Sequence, residues 1–154
     1  MNPKQLAANL SISPQRSIAD IGQAKAQGFL SVIVNRPDGE EPGQPTIAEM
    51  RDVAHAAGLG FTAIPILPGK ATAEDAAKFS AALETSEGPV IAYCRTGVRA
   101  ATLWALSVGA SIEPDVLLQR ITEAGYDLSA LKPRLEALYE GAHARGERDP
   151  GDHE

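Results

Sequence analysis

Between residues 10 and 108, short runs of apolar, β-favouring residues alternate with stretches whose apolar positions recur every three or four residues. This alternation predicts an α/β fold with a mostly parallel central sheet and helices on both faces. Pro89-Val90-Ile91-Ala92-Tyr93 has no polar alternation, as expected of a strand covered on both sides. Residues 30–35 and 61–66 read the same way, and 10–12 is a weaker first strand. Ser17 is placed to cap a helix running to residue 27, which Gly28 stops. Thr46 with Glu49 forms a capping box for a helix to residue 57, and Thr72 caps another to residue 84. Residues 99–108 are apolar nearly all round, so that helix is expected inside the core, with Leu103 and Trp104 as core residues. Two more helices, 113–124 and 133–143, complete a single domain over residues 1–144. Residues 145–154 show no apolar period and are expected to form a mobile tail.

Composition narrows the function classes. Hydrophobic residues make up 44% of the 154-residue chain and charged ones 22%, a balance that supports one packed core. The net charge of −6 argues against nucleic acid or an anionic membrane surface as partner, since both call for a surplus of Lys and Arg. No apolar run approaches the ~20 residues of a membrane span, and the first residues lack the pattern of a signal peptide, so a cytoplasmic protein is expected. The single cysteine excludes an internal disulfide and a multi-cysteine metal site, and the three histidines are scattered. Neither a metal nor an organic cofactor is expected.

The candidate chemistry lies where the strand ending at Tyr93 meets the helix after it, in Cys94-Arg95-Thr96-Gly97-Val98-Arg99. A short turn from strand into helix aims several backbone N–H groups at one point, an anion-binding concavity. Gly97 lets the turn close. The amides, the helix dipole and the cations Arg95 and Arg99 all favour negative charge on the sulfur, which is the form in which cysteine is a nucleophile. A lone cysteine can also be a small buried hydrophobe. A merely structural cysteine, however, has no need of two arginines and a glycine within the next five residues. Cys94 and Arg99 are therefore the candidate catalytic residues, and Arg95, Thr96, Gly97 and Val98 the candidate substrate-binding loop; the Arg95 side chain could equally point to solvent. In the loop 35–43, Arg36 and Asp38 either face a substrate or form an ion pair that holds the turn.

These residues carry a family resemblance. Together with Leu10-Ser11-Ile12-Ser13-Pro14-Gln15, Val32-Ile33-Val34-Asn35-Arg36-Pro37-Asp38-Gly39-Glu40 and Leu103-Trp104-Ala105-Leu106, the segment Ala92–Arg99 resembles the phosphatase-like domain of beta-lactamase hydrolase-like proteins, also described as a sulfur transferase family. The resemblance covers residues 10–124. It implies the fold of dual-specificity protein phosphatases, and persulfide dioxygenase-like or sulfide-oxidising partners. Phosphatases of that fold carry His-Cys, five intervening residues and Arg. Here Tyr93 stands in the His position and four residues separate Cys94 from Arg99, the spacing of rhodanese loops. The leaving-group acid expected some thirty residues before the cysteine is also missing; Glu74 and Asp75 fall in a helix's first turn, and Asp38 and Glu40 are the other carboxylates in range.

On loop length and the missing acid, the leading expectation is a sulfurtransferase. Cys94 would take sulfane sulfur from a small anionic donor, hold it as a persulfide and pass it to a thiol acceptor. The alternative is a phosphatase working through a Cys94 phosphocysteine, and the third reading is a non-catalytic anion or persulfide-binding module.

Overall fold

The computed structural model describes residues 3–15 and 17–152, and for residues 145–152 the backbone alone. Five strands form one sheet in the order β1-β2-β5-β3-β4. They are β1 (Lys4–Ala7), β2 (Leu10–Ser13), β3 (Ser31–Val34), β4 (Gly60–Ala63) and β5 (Val90–Tyr93). All neighbours run parallel except the edge pair β1 and β2, which is antiparallel. The helices are α1 (Ile18–Gly22), α2 (Ile47–Ala56), α3 (Ala73–Thr85), α4 (Val98–Val108), α5 (Pro114–Glu123) and α6 (Lys132–Asp152).

Period-two alternation along buried strands divides the core into two layers. Val90 and Ala92 of β5 face the cluster built from α3, α4, α5 and α6, in which Phe79, Leu103, Trp104, Leu117 and Leu135 are buried. Ile91 and Tyr93 face the opposite layer, where Val32 and Val34 of β3 pack with Ile21, Met50 and Ala54 of α1 and α2. The sheet is thus covered on both faces, as the unbroken apolar runs predict.

Register brings the strand ends level. Ser13 pairs with Tyr93, Tyr93 with Val34, and Val34 with Ala63. Four parallel strands therefore release their chains at one edge, where ligands bind in open α/β sheets. Asn35 ties the exits together: its N–H donates to Tyr93 O at 2.8 Å, its Nδ2 to Ile64 O at 3.0 Å, and its own carbonyl accepts from Ile66 N at 3.1 Å.

Four features depart from expectation. β1 precedes the first predicted strand; its KQLA sequence buries only Leu6, too little for a pattern to register. α1 ends at Gly22, and a separate 3-10 turn, Lys25–Gln27, reaches Gly28 (φ +102°). β4 ends at Ala63, short of the expected residue 66, although Ile64 N–H still donates to Val34 O at 2.8 Å. α6 runs Lys132–Asp152, longer at its C-terminal end than the expected helix 133–143. Extending an existing helix needs no new nucleus, so charged residues can continue it without an apolar face. His153 and Glu154, the end of the expected mobile tail, lie outside the described residues. No helix among the described residues is long and apolar enough to cross a membrane.

Candidate active site

β5, the central strand, delivers Cys94 to the sheet edge, and α4 begins four residues later at Val98. Gly97 is the N-cap of α4 with φ +101°, a conformation that side chains rarely adopt. A Cβ there would also lie 2.8 Å from Cζ of Tyr126, so the turn can close against that ring only with glycine. The turn brings two amides to the sulfur: Gly97 N–H donates to Cys94 Sγ at 3.1 Å and Arg99 N–H at 3.3 Å. Thr96 Oγ1 accepts from Val98 N–H at 3.4 Å and steadies the turn from within. Cys94 is 1% exposed, set at the root of the loop.

Arg99 is buried beside it. Its Nη1 donates to Glu40 Oε2 and to Ile66 O, and its Nη2 to Glu40 Oε1, each at 2.8 Å. The fork fixes the plane of the guanidinium while engaging three of its five N–H groups. Glu40 first, with the nearby Cys94 adding, holds Arg99 above its ordinary pKa against the opposing effect of burial.

Arg36, 2% exposed, is the second anchor of the same carboxylates. Its Nε donates to Glu40 Oε1 at 2.9 Å, its Nη2 to Glu41 Oε1 at 2.7 Å and its Nη1 to Gln15 Oε1 at 3.4 Å. Burial works against its charge, and the bonds to Glu41 and Glu40 outweigh that effect, leaving its pKa raised. Glu40, hydrogen-bonded first by Arg99 and then by Arg36, is pulled from 4.5 to about 2. Gln15 completes the ring: its N–H donates to Arg95 O at 3.2 Å, anchoring the cysteine loop to the chain leaving β2.

Arg95 stands outside this buried network, with its side chain 60% exposed and Nη2 3.1 Å from Glu41 Oε2. Glu41 therefore bridges Arg36 and Arg95, and those arginines hold its carboxyl below the usual range. A cleft of about 700 Å³ opens here, lined by Arg95, Thr96, Gln15 and Arg36 on the loop side and by residues 41–45 opposite. A second, more apolar cavity of about 220 Å³ is lined by Arg99 with Ile66, Val98, Leu128 and Leu131 among others.

Cys94, Arg95, Thr96, Gly97, Arg99 and Arg36 thus converge, whereas two other candidates face elsewhere. Val98 is 41% exposed and lines the smaller cavity. Asp38 Oδ1 accepts from Ile47 N–H at 2.7 Å, binding its loop to the first turn of α2. Of the carboxylates considered as acids, Asp75 closes the capping box of α3 with Thr72, Glu74 pairs with Lys78 at 3.9 Å, and Glu40 is held ionised. Glu41, Gln15, Tyr126 and the Ile66 carbonyl were not among the predicted site residues. The adjacent acids Glu40 and Glu41, in a loop at the ligand-binding edge, were the one signal in the sequence that pointed toward them.

Fold and loop together define a phosphatase-like α/β domain with a cysteine at its anion-binding turn. Residues 3–111 match the model of the beta-lactamase hydrolase-like protein, phosphatase-like domain, and the chain belongs to that family. It is 37% identical over 140 residues to a beta-lactamase hydrolase-like protein of Agrobacterium fabrum; the match takes in 88% of this chain and 32% of that relative. The chain therefore spans about a third of the relative's length. A candidate phosphatase of Neisseria meningitidis superposes with a TM-score of 0.80 at 34% identity, covering 88% of this chain and 96% of that one. Tk-PTP in its active form shares the fold at 17% identity, with a TM-score of 0.68 over 90% of this chain and 96% of its own.

Proposed function

We propose that this domain is a cysteine-dependent phosphoester hydrolase. The observation that carries the reading is the pair of loop amides on Cys94 Sγ, set beside a guanidinium whose plane Glu40 fixes, in a chain of a phosphatase-like family. The thiolate attacks phosphorus, an S–P bond forms, and the ester P–O bond breaks with its electron pair on the departing oxygen, which takes its proton from solvent. Water then attacks the phosphocysteine, releasing orthophosphate and returning the electron pair to sulfur. The protein's part is positioning and charge stabilisation by the loop N–H groups and Arg99, the main requirement of phosphoryl transfer.

This reading replaces sulfur transfer as the leading one, since the family and the fold neighbours are phosphatase-like. The four-residue interval between Cys94 and Arg99 still favours sulfur transfer as a second reading, with a small anionic sulfur donor, a thiol acceptor and a persulfide dioxygenase-like partner.

One experiment separates the two. The purified chain is incubated with para-nitrophenyl phosphate and, in parallel, with thiosulfate or glutathione persulfide. The hydrolase releases orthophosphate from the ester, loses that activity in Cys94→Ser, and gains no sulfur by intact mass. One added sulfur on Cys94 with no phosphate release would establish the second reading instead.

A further inference from the structure

Two features of the site bear on its substrate. The first is the state of its carboxylates. Glu40 lies between Arg99 and Arg36, and Glu41 between Arg36 and Arg95. Asp127, the acid lining the smaller cavity, accepts from Ser129 N–H at 3.0 Å. All three are stabilised as anions by their partners and are poor proton donors. Among the described residues lining the two cavities there is no histidine and no other acid. A departing alkoxide needs a proton in the transition state; a departing phosphate does not.

The second feature is the larger cleft. Gln15, Ser17 and Thr96 on one side and Gln44 on the other give it polar walls beside Ile18, Pro42 and Pro45, and among the described residues no aromatic side chain lines it to stack on an aryl ring. Among the described residues that line it, Arg95 is the one exposed cation, and it pairs with the half-exposed Glu41. Among the described residues Arg36 and Arg99 are buried in their pairings with Glu40 and Glu41, so for a polyanion entering the cleft Arg95, at the solvent boundary, is the most available counter-ion.

We propose that the substrate is a phosphoanhydride, a molecule whose leaving group is itself a phosphate, and that Arg95 binds this leaving phosphate in the place Glu41 now takes. The inference rests on the hydrolase reading above. Cys94 attacks the terminal phosphorus, the S–P bond forms, and the bridging P–O bond breaks with its electron pair on the oxygen of the leaving phosphate. Arg95 takes up that charge in place of a proton. Water then cleaves the S–P bond, giving orthophosphate, the thiolate and a proton released to solvent. Glu41 is a placeholder that keeps the Arg95 guanidinium aimed across the cleft until the ligand displaces it.

Initial rates on the full chain test this with three probes: inorganic pyrophosphate, glycerol 3-phosphate and para-nitrophenyl phosphate. Since a general acid is typically worth about 10²- to 10⁴-fold, kcat/KM for pyrophosphate should exceed that for glycerol 3-phosphate by at least about 100-fold. Arg95→Gln should lower kcat/KM for pyrophosphate at least about tenfold more than for the aryl ester. Glu41→Gln should lower KM for pyrophosphate at least about threefold. Arg120→Gln, on α5 over the Trp104 ring, removes the same charge far from the cleft and should leave the ratios in place. A smaller anhydride preference, an equal effect of Arg95→Gln on both probes, or an unchanged KM in Glu41→Gln would overturn the inference while Cys94-dependent turnover of the aryl ester upheld the hydrolase reading. Absence of that aryl turnover would overturn both.

Discussion

Glu40 joins two arginines from distant parts of the chain, and its removal should be felt in both stability and rate. Its carboxyl sits at about 2 in the folded protein against an ordinary 4.5. A depressed folded-state value means that this stabilisation is complete above pH 4.5 and is lost as the pH falls toward 2. Glu40→Gln keeps the shape and removes the charge, leaving Arg36 and Arg99 buried without it; breaking such a pair costs about 3 kcal/mol. Urea denaturation at pH 7 should show that loss, and the stability of the variant should vary less than the parent's between pH 4.5 and 2. On turnover of the aryl ester we expect a fall in kcat of about 10²-fold, because the Arg99 fork loses its plane. A variant as stable and as active as the parent would show that Arg99 is positioned by Ile66 O alone.

At the scale of elements, local chemistry was legible and closure between loops was not. The capping box of α2, Thr46 with Glu49, stands in the structure as read, and so does Thr72 as the cap of α3, where Asp75 completes a second box that the sequence reading did not name; each needs only residues three apart. The cysteine turn was legible for the same reason: strand, glycine and helix start are contiguous. The partners of Arg99 come from the loop after β3 and the chain after β4, and no local pattern states which carboxylate a distant arginine will meet. Asp38 shows the converse, an acid near the site in sequence that is committed to a helix terminus in space. Asp38→Asn should therefore cost about 0.5–1 kcal/mol through the weakened bond to Ile47 N–H and the helix dipole, with KM for the aryl ester unchanged within about twofold. Thermal denaturation and initial rates check both halves. A tenfold rise in KM at unchanged stability would return Asp38 to the substrate site.

At the scale of the molecule, the site and the core are one unit. Trp104, the chain's single tryptophan, is 3% exposed in the α3–α6 layer, on the helix whose first turn supplies an amide to Cys94. Cooperative unfolding should therefore give the same urea midpoint by Trp104 emission as by loss of Cys94-dependent turnover. Activity lost at lower urea than emission would mean that the loops at the sheet edge open before the core does.

The strand order also bears on how the chain becomes a protein during synthesis. β5 is the last strand to be made, yet it lies between β2 and β3. When the chain has emerged as far as Ser86, the four strands already made belong to two pairs that are not neighbours, since the finished sheet holds them about 10 Å apart with β5 between. Until β5 emerges, the inner edges of β2 and β3 are open to any extended segment, including those of neighbouring nascent chains. The strand that carries the nucleophile is also the one that seals those edges, so an unfinished chain has neither its chemistry nor its protection.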